Sequence, residues 1–538
     1  MSVFIGYPSF MAYQMMKGKQ GNKDGFPSIP GTIARYSALG LTNEEMSKNP
    51  VWVDKTGNGH DLQMKNFAWK GMSGVGGYGD ENYQTFYKFT LDDYVFIASP
   101  PGVKHMNFTF RVTGLQPGNK LTLAFFGTTN TVYGTWNKDG IYTVDADIVE
   151  AGKPTYFYNG YSATRGKFTI EILPLYPGAL VFDGVDDYGT CDNFPILTKE
   201  KGYTVVALRQ YLFNATDKIR SLVTNAPSSI VSRSTLTFEL TNSKGEKINF
   251  SFGKGNLVSD FEPNVFSYMT SKSYNGKTIT PGDVTESNER ILVGNFSENG
   301  EYGSNVAIWE LVFLDHDATE EELTKIKDYF VKTYPWLFPY QAWTVTGKTN
   351  EDEDRATIAN ITGNGNDLVL SNFGFIEGSG YNEQGEYAGY LVTDGVDDEI
   401  ISAKLIQFAD KFTIVGDWKF MEDRNDNAGL LKANQIYIYN ATTGMRIYLK
   451  QGSKNYPFSC KKINALTSDG WVYDEKWDKY KVYPIGSDID ISSRLFLGFY
   501  GSNFTKIALK NLGIYNDQLL SKDDCIKAYN YLQTLKAK

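Results

Sequence analysis

Histidine is scarce in this chain, with three residues in 538, at positions 60, 105 and 316 and in unrelated contexts. With no HExxH pattern and no GxSxG elbow, the commoner metalloprotease and serine-hydrolase frameworks are excluded. Cysteine is equally rare. Cys191, Cys460 and Cys525 are far apart, odd in number and without CxxC spacing, so neither a zinc cage nor a disulfide framework is expected, and three thiols made in a reducing compartment is the simplest reading. Clustered Lys and Arg are also missing: the formal charge is −9 and the pI near 5.2, which argues against a nucleic-acid groove. No run approaches the roughly 18 apolar residues of a membrane helix. The start, MSVFIGYPSFMAYQMMKGKQGNKDG, has no basic region before its apolar part and no small-residue cleavage pattern after it, so it does not read as a secretion signal.

What the chain does have is aromatic residues, 36 Tyr and 34 Phe, as expected where alternating side chains line sheets. Its length suits roughly three domains. Four sequence blocks recur in the same order, and such repeats set architecture before any local reading. GLTNEE from Gly40 answers GKTNED from Gly347, and TGNGHDLQMKNFAW from Thr56 answers TGNGNDLVLSNFGF from Thr362. FDGVDDY at Phe182–Tyr188 answers TDGVDDE at Thr393–Glu399, followed by the apolar strands YTVVAL from Tyr203 and FTIVGD from Phe412. VAIWELVFLDHDATEEELTKIKDYF from Val306 answers IALKNLGIYNDQLLSKDDCIKAYNYL from Ile507.

The copies are offset by 306 residues at the TGNG block but by 211 at DGVDD, so the first copy carries an insertion of about 95 residues. Within it FTFRV, LTLAF, IYTVDADI and FTIEI alternate apolar and polar residues between turn signals such as LQPGNK. This predicts a small antiparallel β-sandwich with Phe108, Phe110, Val112, Leu121, Leu123, Phe125, Phe168, Ile170 and Ile172 facing inward, inserted through a loop tip. Each copy closes with a helix. Thr319 with Glu322 and Ser521 with Asp524 form capping arrangements, and the apolar faces run Leu323, Ile326, Tyr329, Phe330 and Ile526, Tyr529, Leu532.

These blocks resemble the concanavalin-A-like, laminin-G-type jelly-roll module. Their wording, with the inserted sandwich and LPLYPGALVFDGVDDYG, is similar to multidomain virion proteins of crAss-like phages, among them head-fibre and tail-associated proteins. The resemblance covers nearly the whole chain from about Ile33. The expected fold is mainly β: two concanavalin-A-like jelly-roll sandwiches, each with a short C-terminal helix, plus a smaller β-sandwich inserted in the first. The expected division is an attachment segment, 1–28; a discontinuous first sandwich, 29–92 and 178–339; the insertion, 93–177; and the second sandwich, 340–538. The resemblance implies a structural component of a phage particle, a fibre or decoration protein assembled in the host cytoplasm. Other virion proteins, further copies of the chain in a dimer or trimer and host surface glycans are the expected partners, with no nucleic acid and no membrane. The N-terminal segment is either a first strand on its own domain or a docking peptide, whose anchors are Phe4, Tyr7, Phe10 and Tyr13.

Three sets of residues invite chemistry. Asp183, Asp186 and Asp187 could contribute to a calcium site of the kind laminin-G-type sandwiches carry at a loop edge, though the spacing is not that of an EF-hand. The favoured alternative is a turn in which Gly184 takes φ > 0 and the aspartates bind backbone N–H groups. In the TGNG block His60 is replaced by Asn366 in the second copy, which argues against an obligatory ligand or base; a turn with Asn in the left-handed region is expected, with Asp61 and Asp367 bonding to it. GWVYDEKWDKYKVYP from Gly470 supplies Trp471, Tyr473, Trp477 and Tyr480 as candidate carbohydrate contacts, against the competing reading that such aromatics are buried anchors.

No carboxylate pair is selected for glycoside hydrolysis. There is no ExDxxE strand, EDED at Glu351–Asp354 reads as a solvated stretch, and Glu310 and Asp315 align with Asn511 and Asn516. The expectation is a chain that is not an enzyme and needs no cofactor, with a glycan-binding adhesin as the competing class and a glycoside hydrolase as the third.

Overall fold

A computed structural model describes residues 24–78, 88–91, 94–98, 104–125, 131–148, 155–160, 167–212, 219–225, 233–259, 265–297, 302–421, 428–433, 436–441, 444–449, 452–455, 462–481, 492–500 and 503–537. The fold is mainly β, as expected. The described residues fall into two compact units, one drawn from Met1–Glu81 and Tyr176–Thr333, the other from Asn82–Leu175 and Tyr334–Lys538. Among the described residues no helix is long and apolar enough to cross a membrane.

The first unit is a sandwich of two eight-stranded antiparallel sheets. In one, Thr204–Tyr211 and Asn305–Leu314 lie side by side at the centre, with Thr32–Ser37 and Leu180–Asp183 also on Asn305–Leu314. The other runs from the edge strand Lys254–Leu257 through Lys247–Ser251, Leu236–Thr241, Val223–Thr224, Ile291–Val293, Tyr188–Cys191 and Leu62–Lys65 to Val51–Trp52. NVAIWELVFL, at Asn305–Leu314, is buried at nearly every position. Val306, Ile308, Leu311 and Phe313 join the core between the sheets, and the closing helix Glu320–Thr333 buries Leu323, Ile326, Tyr329 and Phe330. Its capping box forms as expected: the Glu322 N–H donates to Thr319 Oγ1 at 3.3 Å and the Thr319 N–H to Glu322 Oε2 at 2.9 Å.

The second unit repeats this plan with two eight-stranded sheets, Phe412–Phe420 and Ile507–Asn516 at the centre of one, and the closing helix Lys522–Gln533. It also holds the inserted sandwich, two four-stranded sheets over a core that includes Phe108, Phe110, Val112, Leu121, Leu123, Phe168 and Ile170, with Ile172 partly buried against it. Of the expected inward positions only the Phe125 side chain lies outside the described residues. The insertion interrupts the first copy in sequence yet packs on the helix that closes the second. Asn530 Nδ2 donates to the Pro174 carbonyl at 3.5 Å, Thr109 Oγ1 meets Asn530 Oδ1 at 3.4 Å, Arg111 pairs with Asp523 at 3.5 Å and Lys138 with Asp478. This is why the second helix is buried over a wider arc than its apolar stripe, Asn530 included.

Both central strand pairs carry a bulge at the same place. In the first, Leu208 faces Glu310 and Arg209 faces Ile308; in the second, Asp417 faces Asn511 and Trp418 faces Leu509. The acid has therefore crossed the strand pair, from the closing strand in one copy to its neighbour in the other. Buried Glu310 accepts from Arg35 Nε at 3.0 Å and Nη2 at 3.2 Å, and Arg35 also binds the Tyr329 hydroxyl on the closing helix at 2.8 Å. Buried Asp417 pairs with Lys462 at 2.7 Å and accepts from Tyr390, Tyr529 and Gln533, the last two on its closing helix, at 3.0, 3.0 and 3.1 Å. Burial works against the Asp417 charge, but Lys462 outweighs it and holds the carboxyl well below the usual range. Replacing Asp417 by Ala leaves the half-buried Lys462 without its carboxylate, so urea denaturation should show a loss of about 3–5 kcal/mol, with Asp417→Asn losing less; a loss below about 1 kcal/mol, within the range of exposed pairs, contradicts this role.

Candidate functional site

The DGVDD loops form the same construction twice. In the first copy the Asp183 N–H donates to Asp187 Oδ2 at 3.0 Å, the Val185 N–H to Asp183 Oδ1 at 2.7 Å and Ser73 Oγ to Asp187 Oδ1 at 3.0 Å. In the second the corresponding donors are Asp394 and Val396 N–H, each at 2.7 Å, and Ser379 Oγ at 3.0 Å. Asn66 and Asn372 bind the Asp186 and Asp397 carbonyls at 3.1 and 3.0 Å. Gly184 has φ +80°, and a Cβ there would meet Asn305 Cβ at 2.7 Å, so the turn needs glycine for conformation and for space.

One carboxylate oxygen from each of Asp183, Asp186 and Asp187 lies within 4.8 Å of the others, and the same holds for Asp394, Asp397 and Asp398. A divalent cation would require these groups ionised. Burial, then the neighbouring Asp183 charge, pushes Asp187 up to about 8, and burial pushes Asp398 up to about 6. Both oxygens of Asp187 and of Asp398 already carry bonds, one to the loop backbone and one to Ser73 or Ser379, an arrangement that serves the turn.

The TGNG expectation needs one correction. In the TGNG turn itself the left-handed residues are the glycines, Gly57 and Gly59 at φ 80° and 87° and Gly363 and Gly365 at 81° and 60°; the left-handed asparagines of the block are Asn66 and Asn372, each at 66°. The turn's own asparagines act through their side chains, Asn58 donating to the Ile33 carbonyl at 3.0 Å. Asp61 and Asp367 do bond to the turn, accepting from the Asp54 and Asn360 N–H at 2.9 and 2.8 Å. His60 packs its ring 5.9 Å from that of Phe194. His316 sits between Glu322 and Asp315 at 3.2 and 3.3 Å; burial lowers its pKa, but the two carboxylates outweigh it and hold it above the ordinary value. The His105 side chain and Cys460 lie outside the described residues.

The aromatic stretch from Gly470 is also corrected. Trp477 is 1% exposed and Tyr473 5%, Trp477 meeting Tyr529 edge-on at 5.7 Å, so neither offers a face to a ligand. Trp471 is half-buried with Lys479 and Lys481 amines 4.7 and 4.5 Å from its ring centre, and the Tyr480 hydroxyl donates to Asp474 at 3.2 Å. Phe4, Tyr7, Phe10 and Tyr13 lie outside the described residues.

An open groove of about 850 Å³ lies instead on the first sandwich, at the hairpin formed by Lys247–Ser251 and Lys254–Leu257. The two strands are joined by Phe252 and Gly253, both at positive φ, 45° and 84°, the twist a two-residue hairpin needs. A bulky residue is uncommon in that region. Here Phe252 is completely buried, 5.5 Å from the Tyr203 ring. The tip is held by N–H donation from Phe252 to the Thr235 carbonyl at 2.9 Å, Gly253 to Ser234 at 2.8 Å and Val284 to Phe252 at 3.0 Å.

The groove's floor follows from a buried ion pair. Arg209, on one sheet, and Glu239, on the other, are each 1% exposed. Glu239 accepts from Arg209 Nε and Nη2 at 2.8 and 2.5 Å, from Ser267 Oγ at 2.5 Å and from the Tyr211 and Tyr274 hydroxyls at 3.0 and 3.1 Å. To reach them its backbone takes φ 57° at a bulge between Thr237 and Leu240. Asn249 on the neighbouring strand accepts the Glu239 N–H at 2.7 Å, and Ser251 Oγ donates to the Ser271 carbonyl at 2.6 Å. Those two polar residues face inward, so strand alternation sends Ile248 and Phe250 outward. Across the hairpin Leu257 faces Ile248 and Gly255 faces Phe250. A Cβ on Gly255 would stand 3.0 Å from Phe250 Cζ, so glycine lets the ring lie close against the neighbouring strand. Arg233, Lys254 and Asp283 stand on the rim. The signal was present in INFSFGKGNL, whose apolar and polar residues alternate, but which set faces water depends on the ion pair.

No protein-family model matches the chain, and no curated protein does. Among solved structures it is similar to a Trypanosoma rangeli sialidase, at 10% identity and a TM-score of 0.27 over 50% of this chain and 48% of that one. It is also similar to the botulinum neurotoxin serotype D binding domain, at 12% and 0.25 over 64% and 89%, and to the T. rangeli sialidase in complex with sialic acid, at 9% and 0.25 over 72% and 67%. The first match spans about half the length of that sialidase. At these TM-scores no ligand, residue role or reaction is transferred. The expectation of a chain that is not an enzyme is nevertheless corrected, because sialidases stand among its structural neighbours.

The carboxyls in the loops carry a pH dependence of definite sign. Folded Asp187 keeps its proton up to about pH 8, whereas an unfolded aspartate releases it near 3.9. Stability is therefore lost as pH rises between those values. The midpoint of thermal unfolding should fall from pH 4 to pH 8, and Asp187→Asn should flatten that slope; a midpoint that rises over the same window contradicts the assignment.

Proposed function

We propose that the chain is a glycan-binding protein whose first sandwich takes a sugar ring in the hairpin groove. The observation that carries this is the outward Phe250, its ring laid close against Gly255, in a cleft of about 850 Å³ rimmed by Arg233, Lys254 and Asp283. The C–H face of a pyranose is apolar and fits an aromatic face, while its hydroxyls need donors and acceptors at the rim. A mainly apolar cleft with a few polar groups, within about 300–1,000 Å³, is the general form of a small-ligand site. The setting, a fibre or decoration protein of a phage particle with other virion proteins and further copies of the chain as neighbours, rests on the sequence resemblance alone.

On a glycan array the full chain should bind at least one class of oligosaccharide. Phe250→Ala should weaken that binding about tenfold or more, near 1.4 kcal/mol, and Gly255→Leu should weaken it by displacing the Phe250 ring, with circular dichroism unchanged in both. Undiminished binding by both variants, or no binding by the parent chain, overturns the reading.

A further inference from the structure

We infer that the groove selects acidic sugars, those carrying a carboxylate on the ring, over neutral ones; this rests on the glycan-binding reading above. The chain as a whole is acidic, with a formal charge of −9, yet the groove's surroundings are cationic. Of the lining residues, Arg233 and Lys254 carry positive charge and Asp283 alone carries negative charge. Asp283 is matched in turn by Lys199, whose amine lies 4.0 Å from its carboxylate and donates to the Gly282 carbonyl at 2.5 Å. Neither Arg233 nor Lys254 has an acidic partner within ion-pair distance among the described residues, and both are exposed. Two unmatched cations thus border an apolar floor of Ile248, Phe250 and Leu257, and Leu257 is 73% exposed.

A uronic acid matches that pattern. Its C–H face covers the floor, and its carboxylate, projecting from the ring edge, meets a guanidinium suited to bidentate pairing and an ammonium. A neutral sugar of the same shape offers both cations only hydroxyls and lacks the opposite charge that strengthens the pairing. A lone monosaccharide would fill little of about 850 Å³, so a short acidic oligosaccharide is the fitting ligand.

The test is titration calorimetry of the full chain with hexamers of galacturonate, mannuronate and hyaluronan, each beside its carboxyl-reduced, neutral form, at low and at 0.5 M salt. The expected result is that at least one acidic hexamer binds about tenfold or more tightly than its neutral form at low salt. The gap should narrow at high salt, where exposed charges are screened, and close in the Arg233→Gln/Lys254→Gln double variant. Equal binding of acidic and neutral forms, lost in Phe250→Ala, overturns the charge selection and leaves the groove standing. A preference for acidic forms that survives the double variant also overturns it. Binding of no hexamer by the parent chain overturns it as well, and the groove reading itself then stands or falls on the wider glycan array.

Discussion

The buried pair of Arg209 and Glu239 is the constraint on which the first sandwich's exposed surface depends. A guanidinium and a carboxylate removed from water need each other and every remaining hydrogen bond filled, and here five donors converge on one carboxylate. Meeting that demand puts a bulge and a left-handed φ at Glu239. It also draws Asn249 inward to the Glu239 N–H, and Ser251, two residues on, shares that face and binds the Ser271 carbonyl. A strand has two faces, so polar residues inside leave Ile248 and Phe250 outside. The apolar floor of the groove is thus the reverse side of a polar core.

The duplicated sandwiches show how such a demand survives sequence change. Each holds one buried carboxylate linked to its closing helix, Glu310 through Arg35 and Asp417 directly, on opposite strands of the central pair, with Arg35 and Lys462 as their cations. An alignment by position sees an acid lost, Glu310 against Asn511. In space it has been moved across the same bulge; Tyr529 donates to Asp417 directly, and Tyr329 accepts from Arg35, the cation that holds Glu310. The DGVDD loops show the opposite regime: their bonds are local or run to matching residues, Ser73 and Ser379, Asn66 and Asn372, so the wording itself is retained.

What could be read from sequence follows the same division. The capping boxes at Thr319 and Ser521, the turn at Gly184 and the inward face of the inserted sandwich were legible, because spacing along the chain dictates them. The aromatic stretch from Gly470 was legible only as two alternatives: Trp477 and Tyr473 sit beside acids and lysines in sequence, and the packing of Tyr529 against Trp477 decides for buried anchors. Nor could sequence show that the insertion would dock on the second copy's helix through Asn530 and Asp523. The groove escaped because Phe250 in NFSF resembles any core aromatic until the partner of Glu239 is known.

A crystal structure of the chain soaked with an oligosaccharide that it binds tests the central claim most directly. The account predicts a sugar ring lying against Phe250, over Gly255, with its polar groups at Arg233 and Lys254. Density for the sugar elsewhere, at Trp471 for example, with the hairpin groove holding only water, would contradict it.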